Sequence, residues 1–198
     1  MRELKEDRSL REHIRSATRA SLDRAVADSE ASYAKRLGWY AIVRIRRPRL
    51  VVETGVDKGL GSVVLAAALL RNAEEGFPGE YLGTDINPAA GYLLQGPYGS
   101  VGKILYGDSI ASLRTIQQPI DLFINDSDHS ADYEAREYAE VAAKLSPHAI
   151  VVGDNAHATD KLLEFAERTE RRFAFFREQP HEHWYPGAGI GLAMSSTE

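Results

Sequence analysis

The chain has 198 residues, 43% hydrophobic and 27% charged, which suits one soluble globular domain with a real core. A formal net charge of −5 argues against a broad nucleic-acid or anionic-membrane footprint, so nucleic acid and membrane are not expected partners. No cysteine is present, which excludes disulfides, thiolate metal ligands and a cysteine nucleophile; with no apolar run of spanning length and a charged start, "MRELKEDRSLREH", a cytoplasmic protein is expected.

Residues 8–40 read as helix, with Leu10, Ile14, Ala17, Leu22, Ala25 and Val26 near helical spacing and Pro48 closing the section. "LVVE" (50–53) is a short apolar strand, followed by a glycine-rich loop and a helix over 62–75 that Gly76 and Pro78 stop. "YLGTD" (81–85) is a second strand, and the glycine- and proline-rich stretch 86–100 is expected to contain a mobile loop. A third strand at 103–108 leads to a short helix at 109–116, and a fourth strand occupies 120–125. Helix 130–145 has Ser130 as its candidate N-cap and Pro147 beyond its end. A fifth strand at 149–154, a helix at 159–172 and strands at 173–178 and 189–194 complete the chain.

Short apolar strands alternating with helices predict a doubly wound α/β domain, mostly a seven-stranded parallel sheet. The last two strands are joined by a loop too short for a parallel crossover, so the final strand is antiparallel. Ligands bind at the edge where such strands end. Glu53, Asp85, Asp108, Asn125–Asp126 and Asp154–Asn155 all collect there.

Gly55, Gly59 and Gly61 let the backbone approach a ligand, with the free N–H groups of a helix start behind them. The order E-x-G-x-x-x-G-x-G departs from the dinucleotide pattern G-x-G-x-x-G, and an acid at the strand end repels a diphosphate. It suits a cationic, phosphate-free nucleoside. S-adenosylmethionine has an ammonium, a sulfonium and a ribose. Asp85 can accept both ribose hydroxyls and Asp108 the adenine amino group. The bland alternative is a glycine turn flanked by capping acids.

On "ETGVDKGLGS", "YLGTD" and "LYGDS", the chain resembles the class I S-adenosylmethionine-dependent methyltransferases over about residues 40–194. The resemblance implies a Rossmann-like methyltransferase domain at 49–198 behind an N-terminal helical extension at 1–48. It implies cofactor contacts from Glu53, Gly55, Asp85 and Asp108, and Gly59, Gly61, Ser62, Ser109 and Asn125 beside them are further candidates for the same contact.

"DLFINDSDHSADYE" and "VVGDNAH" follow neighbouring strand ends. Oxygen ligands converging there suit a hard cation such as Mg²⁺, which acidifies and orients a hydroxyl. The same residues also suit helix caps. "DSDHS" followed by "GDN" is similar to metal-dependent O-methyltransferases of the catechol and macrolide-sugar types. That likeness implies Asp126, Asp154 and Asn155 as metal ligands. The offset of the catechol-type lysine base holds His129, and that of the sugar-type aspartate holds Asp128. Either serves as the general base in this reading.

His157, His183, Trp184 and Tyr185 are candidates to line the acceptor site. The expectation is therefore S-adenosylmethionine-dependent methyl transfer to a hydroxyl of a small molecule, with Mg²⁺ assistance and a possible homodimer. The alternatives are a nicotinamide-dependent Rossmann oxidoreductase and a non-catalytic cofactor-binding protein.

Overall fold

β1 (Leu50–Thr54) is buried at all five residues, because it runs through the middle of a seven-stranded sheet. The structure is a computed structural model, and it describes residues 2–22, 33–178 and 189–195. The other strands are β2 (Glu80–Asp85), β3 (Gly102–Tyr106), β4 (Ile120–Asn125), β5 (Leu145–Gly153), β6 (Arg171–Arg177) and β7 (Gly189–Ser195). Their order is β3-β2-β1-β4-β5-β7-β6. Strands β1 to β5 pair in parallel, and β7 runs antiparallel between β5 and β6.

Successive strand residues point to opposite faces, and both faces here are apolar. Val51, Leu122, Ile124, Ile150 and Val152 join one buried cluster. Val52, Phe123 and Val151 join the other. The first face is covered by α1 (Arg2–Glu6), α2 (Arg8–Ala20), α3 (Arg36–Arg46) and α4 (Leu60–Glu74). The second is covered by α5 (Ser109–Thr115), α6 (Ala131–Ala142) and α7 (Lys161–Arg168). Helix α4 is buried nearly all round, through Val63 to Leu69, so it carries no polar face to speak of.

The N-terminal helices share the first core. Leu4, Leu10 and Ile14 pack with Trp39, Tyr40 and the α4 leucines. Ion pairs from Arg71 to Glu3 (3.2 Å) and Asp7 (2.9 Å) fasten them to α4. Asp7 also caps α2 by accepting from the Leu10 N–H.

Three elements differ from the expectation. The single helix over 8–40 is divided: α2 ends at Ala20, and α3 starts at Arg36 after a turn in which Ala34 has φ 41°. Ser21 adopts an extended conformation and donates its hydroxyl to the Thr18 carbonyl, so it ends the helix instead of continuing it. Leu22 is 97% exposed; Ala25 and Val26 lie outside the described residues.

The 86–100 stretch is anchored. Ala90, Leu93 and Tyr98 are buried, a 3-10 turn spans Gly96–Ser100, and His13 of α2 bonds the Leu93 carbonyl at 2.8 Å. β5 starts earlier than expected, at Leu145. Pro147 sits at a shift of register against β4, where its missing N–H costs no ladder bond.

The chain steps outward from β1 to β3 and then returns to β4. The switch point therefore lies between β1 and β4, at the strand ends where ligands of such sheets bind.

Candidate active site

A hollow of about 470 Å³ opens at that switch point. Its lining comes from four neighbouring connections. The β1–α4 loop supplies Gly55 and Asp57, and the end of β2 supplies Thr84, Asp85, Ile86 and Asn87. The β3–α5 junction supplies Gly107, Asp108 and Ser109, and the β4–α6 segment supplies Asp126, Ser127, Asp128 and Tyr133. Five of these are aspartates, and among the described residues no lysine or arginine lines the hollow.

Gly55 explains why the loop opens on glycine. Its φ is 78°, and a Cβ there would meet the Asp126 carbonyl oxygen at 2.1 Å. The loop after β1 thus presses against the backbone leaving β4. Gly59, with φ 88°, opens α4, where a Cβ would meet the Gly91 backbone at 3.0 Å. Asp85 fixes this loop: its Oδ2 accepts from the N–H groups of Val56 (3.1 Å) and Asp57 (3.0 Å), and its Oδ1 from Asn87 (2.8 Å). Asp108 caps α5 through the Ala111 N–H (2.8 Å) and accepts from the Tyr133 hydroxyl (2.9 Å). Those two bonds hold its carboxyl below the usual range.

Of the residues expected to bind a cofactor, Gly55, Asp85, Asp108 and Ser109 face the hollow. The rest stand behind it. Glu53 is 1% exposed and accepts from Tyr81 and from Ser62 (3.3 Å). Gly61 lies against it, where a Cβ would meet Glu53 Oε1 at 2.2 Å. Burial pushes the Glu53 carboxyl up to about 7, although the Tyr81 hydroxyl opposes this. Glu53, Gly59, Gly61, Ser62 and Asn125 therefore shape the loop and the strand ends from beneath. Asn125 is fully buried and donates to Glu137.

Glu137, one turn into α6 past Tyr133, is a site residue that sequence reasoning missed. It is fully buried and accepts from Thr54 (3.3 Å), Ser109, Asn125 and Ser127 (2.8 Å). One carboxylate thus ties the ends of β1 and β4 to the start of α5. Tyr133 was also missed; its hydroxyl bridges Asp108 and Ser109. The available signal was the position of both residues on the first two turns of the helix after β4.

Beside the hollow, Asp126, His129 and Asp154 bring one donor atom each within 4.8 Å of one another. This set differs from the expected one by containing His129. Asn155 bonds the His129 ring at 3.1 Å through its amide. Two carboxylates and an imidazole are a donor set that suits a divalent cation. Burial and the neighbouring Asp154 carboxylate push Asp126 well above the usual carboxylate range. Asp154 is lowered despite its burial, through the neighbouring Asp126 and the Lys35 charge. The Glu134 carboxylate, 3.7 Å from Nδ1, holds His129 above its usual value, against burial. Lys35, just before α3, bonds Asp154 and lies 3.5 Å from Asp126. Sequence reasoning gave no hint of it.

Asp128 lines the hollow, while His157 is exposed and does not. His183, Trp184 and Tyr185 lie outside the described residues. Among the described residues, no helix is long and apolar enough to cross a membrane.

Comparison with known proteins gives the same picture of the fold. No curated protein sequence matches the chain. Among solved structures, the O-methyltransferase TomG from Streptomyces achromogenes, in complex with S-adenosylmethionine, is similar at a TM-score of 0.68. It is 17% identical, and the match covers 93% of this chain and 89% of that one. An O-methyltransferase from Bacillus cereus, in complex with S-adenosylhomocysteine, also has a TM-score of 0.68, at 12% identity over 93% and 91% of the two chains. Cofactor-bound Rv0187 from MTB is 20% identical over 92% and 89%, with a TM-score of 0.67. A family model described as a methyltransferase domain matches residues 52–156, more than half of the chain. With a seven-stranded sheet whose last strand is antiparallel, the chain belongs to the methyltransferase-domain family and has the Rossmann-like fold of class I S-adenosylmethionine-dependent methyltransferases.

Proposed function

We propose that the protein is an S-adenosylmethionine-dependent methyltransferase acting on a hydroxyl of a small molecule. The observation that carries this is the lining of the hollow: among the described residues, five aspartates and no lysine or arginine, at the switch point of the sheet. Such a surface disfavours diphosphate and favours a cationic nucleoside. The volume of about 470 Å³ falls in the range of small-molecule sites. That TomG and the Bacillus cereus relative are O-methyltransferases supports a hydroxyl acceptor.

When bound, S-adenosylmethionine supplies an electrophilic methyl group on a sulfonium. The chain binds and orients. Asp85, with Asn87 beside it, accepts the ribose hydroxyls. Asp108, fixed by Tyr133, accepts the adenine amino group. Gly55 keeps the loop low enough for the cofactor's amino-acid end. Asp128 stands at the acceptor side, where its carboxylate removes the hydroxyl proton while His129 serves the cation seat. Asp126, His129 and Asp154 are the seat for a divalent cation such as Mg²⁺, whose charge would lower the hydroxyl's pKa. Alignment of acceptor and methyl group does most of the catalysis in this account.

Isothermal titration with S-adenosylhomocysteine tests the reading. One site per chain is expected, weakened at least about tenfold in Asp85→Ala, which removes two ribose hydrogen bonds. Heat from NAD⁺ but none from S-adenosylhomocysteine would overturn it.

A further inference from the structure

The acidic centre beside the hollow already holds a cation of the chain's own. Lys35 Nζ bonds the Asp154 carboxylate and lies 3.5 Å from Asp126 Oδ1. Asp154 is almost fully buried, with its side chain 2% exposed, and those of Asp126 and Lys35 are 14% and 17% exposed. The lysine stem reaches in over Trp39, whose ring centroid is 5.6 Å from Nζ. Trp39 is itself buried against α4 and cannot follow the lysine outward. Two of the three donors that converge as a metal seat are therefore spoken for by an ammonium. A divalent ion and an ammonium within hydrogen-bond reach of the same carboxylate repel each other strongly at this depth.

We propose that Lys35 is a tethered cation that competes with a divalent metal for Asp126 and Asp154, so that metal enters only when Lys35 withdraws. The inference rests on the reading of Asp126, His129 and Asp154 as a cation seat. With Lys35 in place, the site carries its compensating charge without metal. With Lys35 out, the two carboxylates and His129 are free to close on an ion.

The test is Mn²⁺ binding to the full chain without cofactor, read from the paramagnetic resonance of free Mn²⁺. The variants are Lys35→Met, which keeps the aliphatic stem over Trp39, and Lys35→Arg, which keeps the charge. Removing one competing charge at this distance is expected to tighten Mn²⁺ binding at least about tenfold in Lys35→Met. Lys35→Arg is expected to stay close to the parent, and adding Asp154→Asn to Lys35→Met to abolish the gain. Equal affinity in the parent and Lys35→Met, or no binding to Lys35→Met, would overturn the competition. S-adenosylhomocysteine titration of the same samples separates the two readings: its failure removes the methyltransferase assignment, while the Mn²⁺ series still decides the role of Lys35.

Discussion

Glu53 is the residue whose environment says most about the loop above it. Its carboxyl is wholly buried, and burial raises it from 4.5 to about 7 against the bond from Tyr81. Below the lower value, folded and unfolded chains both hold the proton. As pH rises from 4.5 through 7, the unfolded chain ionises first, so stability falls across that window and levels off above it. The difference corresponds to roughly 3 kcal/mol. Glu53→Gln removes that titration. Urea midpoints at pH 5 and pH 8 should therefore lie closer together in the variant than in the parent, with the parent losing more stability toward pH 8. Asp85 and Asp108 were legible in the sequence because Asp85 closes a short apolar strand and Asp108 follows another by two residues, at the start of a helix. Glu53 was legible as a strand-end acid and not as a buried one. Its partners Ser62 and Tyr81 are 9 and 28 residues away, and only the packed sheet brings them under the loop. Lys35 was invisible for the same reason, with 119 residues between it and Asp154.

At the scale of elements, the site is built from helix starts that do two jobs. Asp108 ends the turn after β3, caps α5 and faces the hollow. The two jobs separate by substitution. Asp108→Ala should cost about 1 kcal/mol of stability, the usual worth of a cap. Asp108→Asn keeps an accepting oxygen for Ala111 and should leave stability within about 0.5 kcal/mol of the parent. Both should weaken S-adenosylhomocysteine binding, because both lose the charge facing the adenine amino group. If Asp108→Asn binds like the parent, the cap is all that Asp108 contributes. Strands were readable from short apolar runs, since a sheet covered on both faces needs them. The division of helix 8–40 was not readable. An apolar spacing runs through Ser21, and what stops α2 is a local bond from that hydroxyl to the turn before it. The anchoring of 86–100 likewise depends on His13 and a buried Tyr98, two contacts made across the fold.

For the whole molecule, the arrangement is one sheet with two apolar faces and an acidic edge. The parallel strands and their crossovers place every carboxylate of interest at one rim, which is why a chain-order reading of the tips found the hollow's outline. Glu137 and Tyr133 complete it from α6 and needed the fold to be seen. The central claim is that this rim cradles a cationic nucleoside whose ribose meets Asp85 and whose base meets Asp108. A crystal structure with S-adenosylhomocysteine tests it most directly. The account predicts ligand density in the hollow, with ribose hydroxyls on Asp85 and the adenine amino group at Asp108. Density for the ligand elsewhere on the chain, or a hollow left empty at saturating ligand, would contradict it.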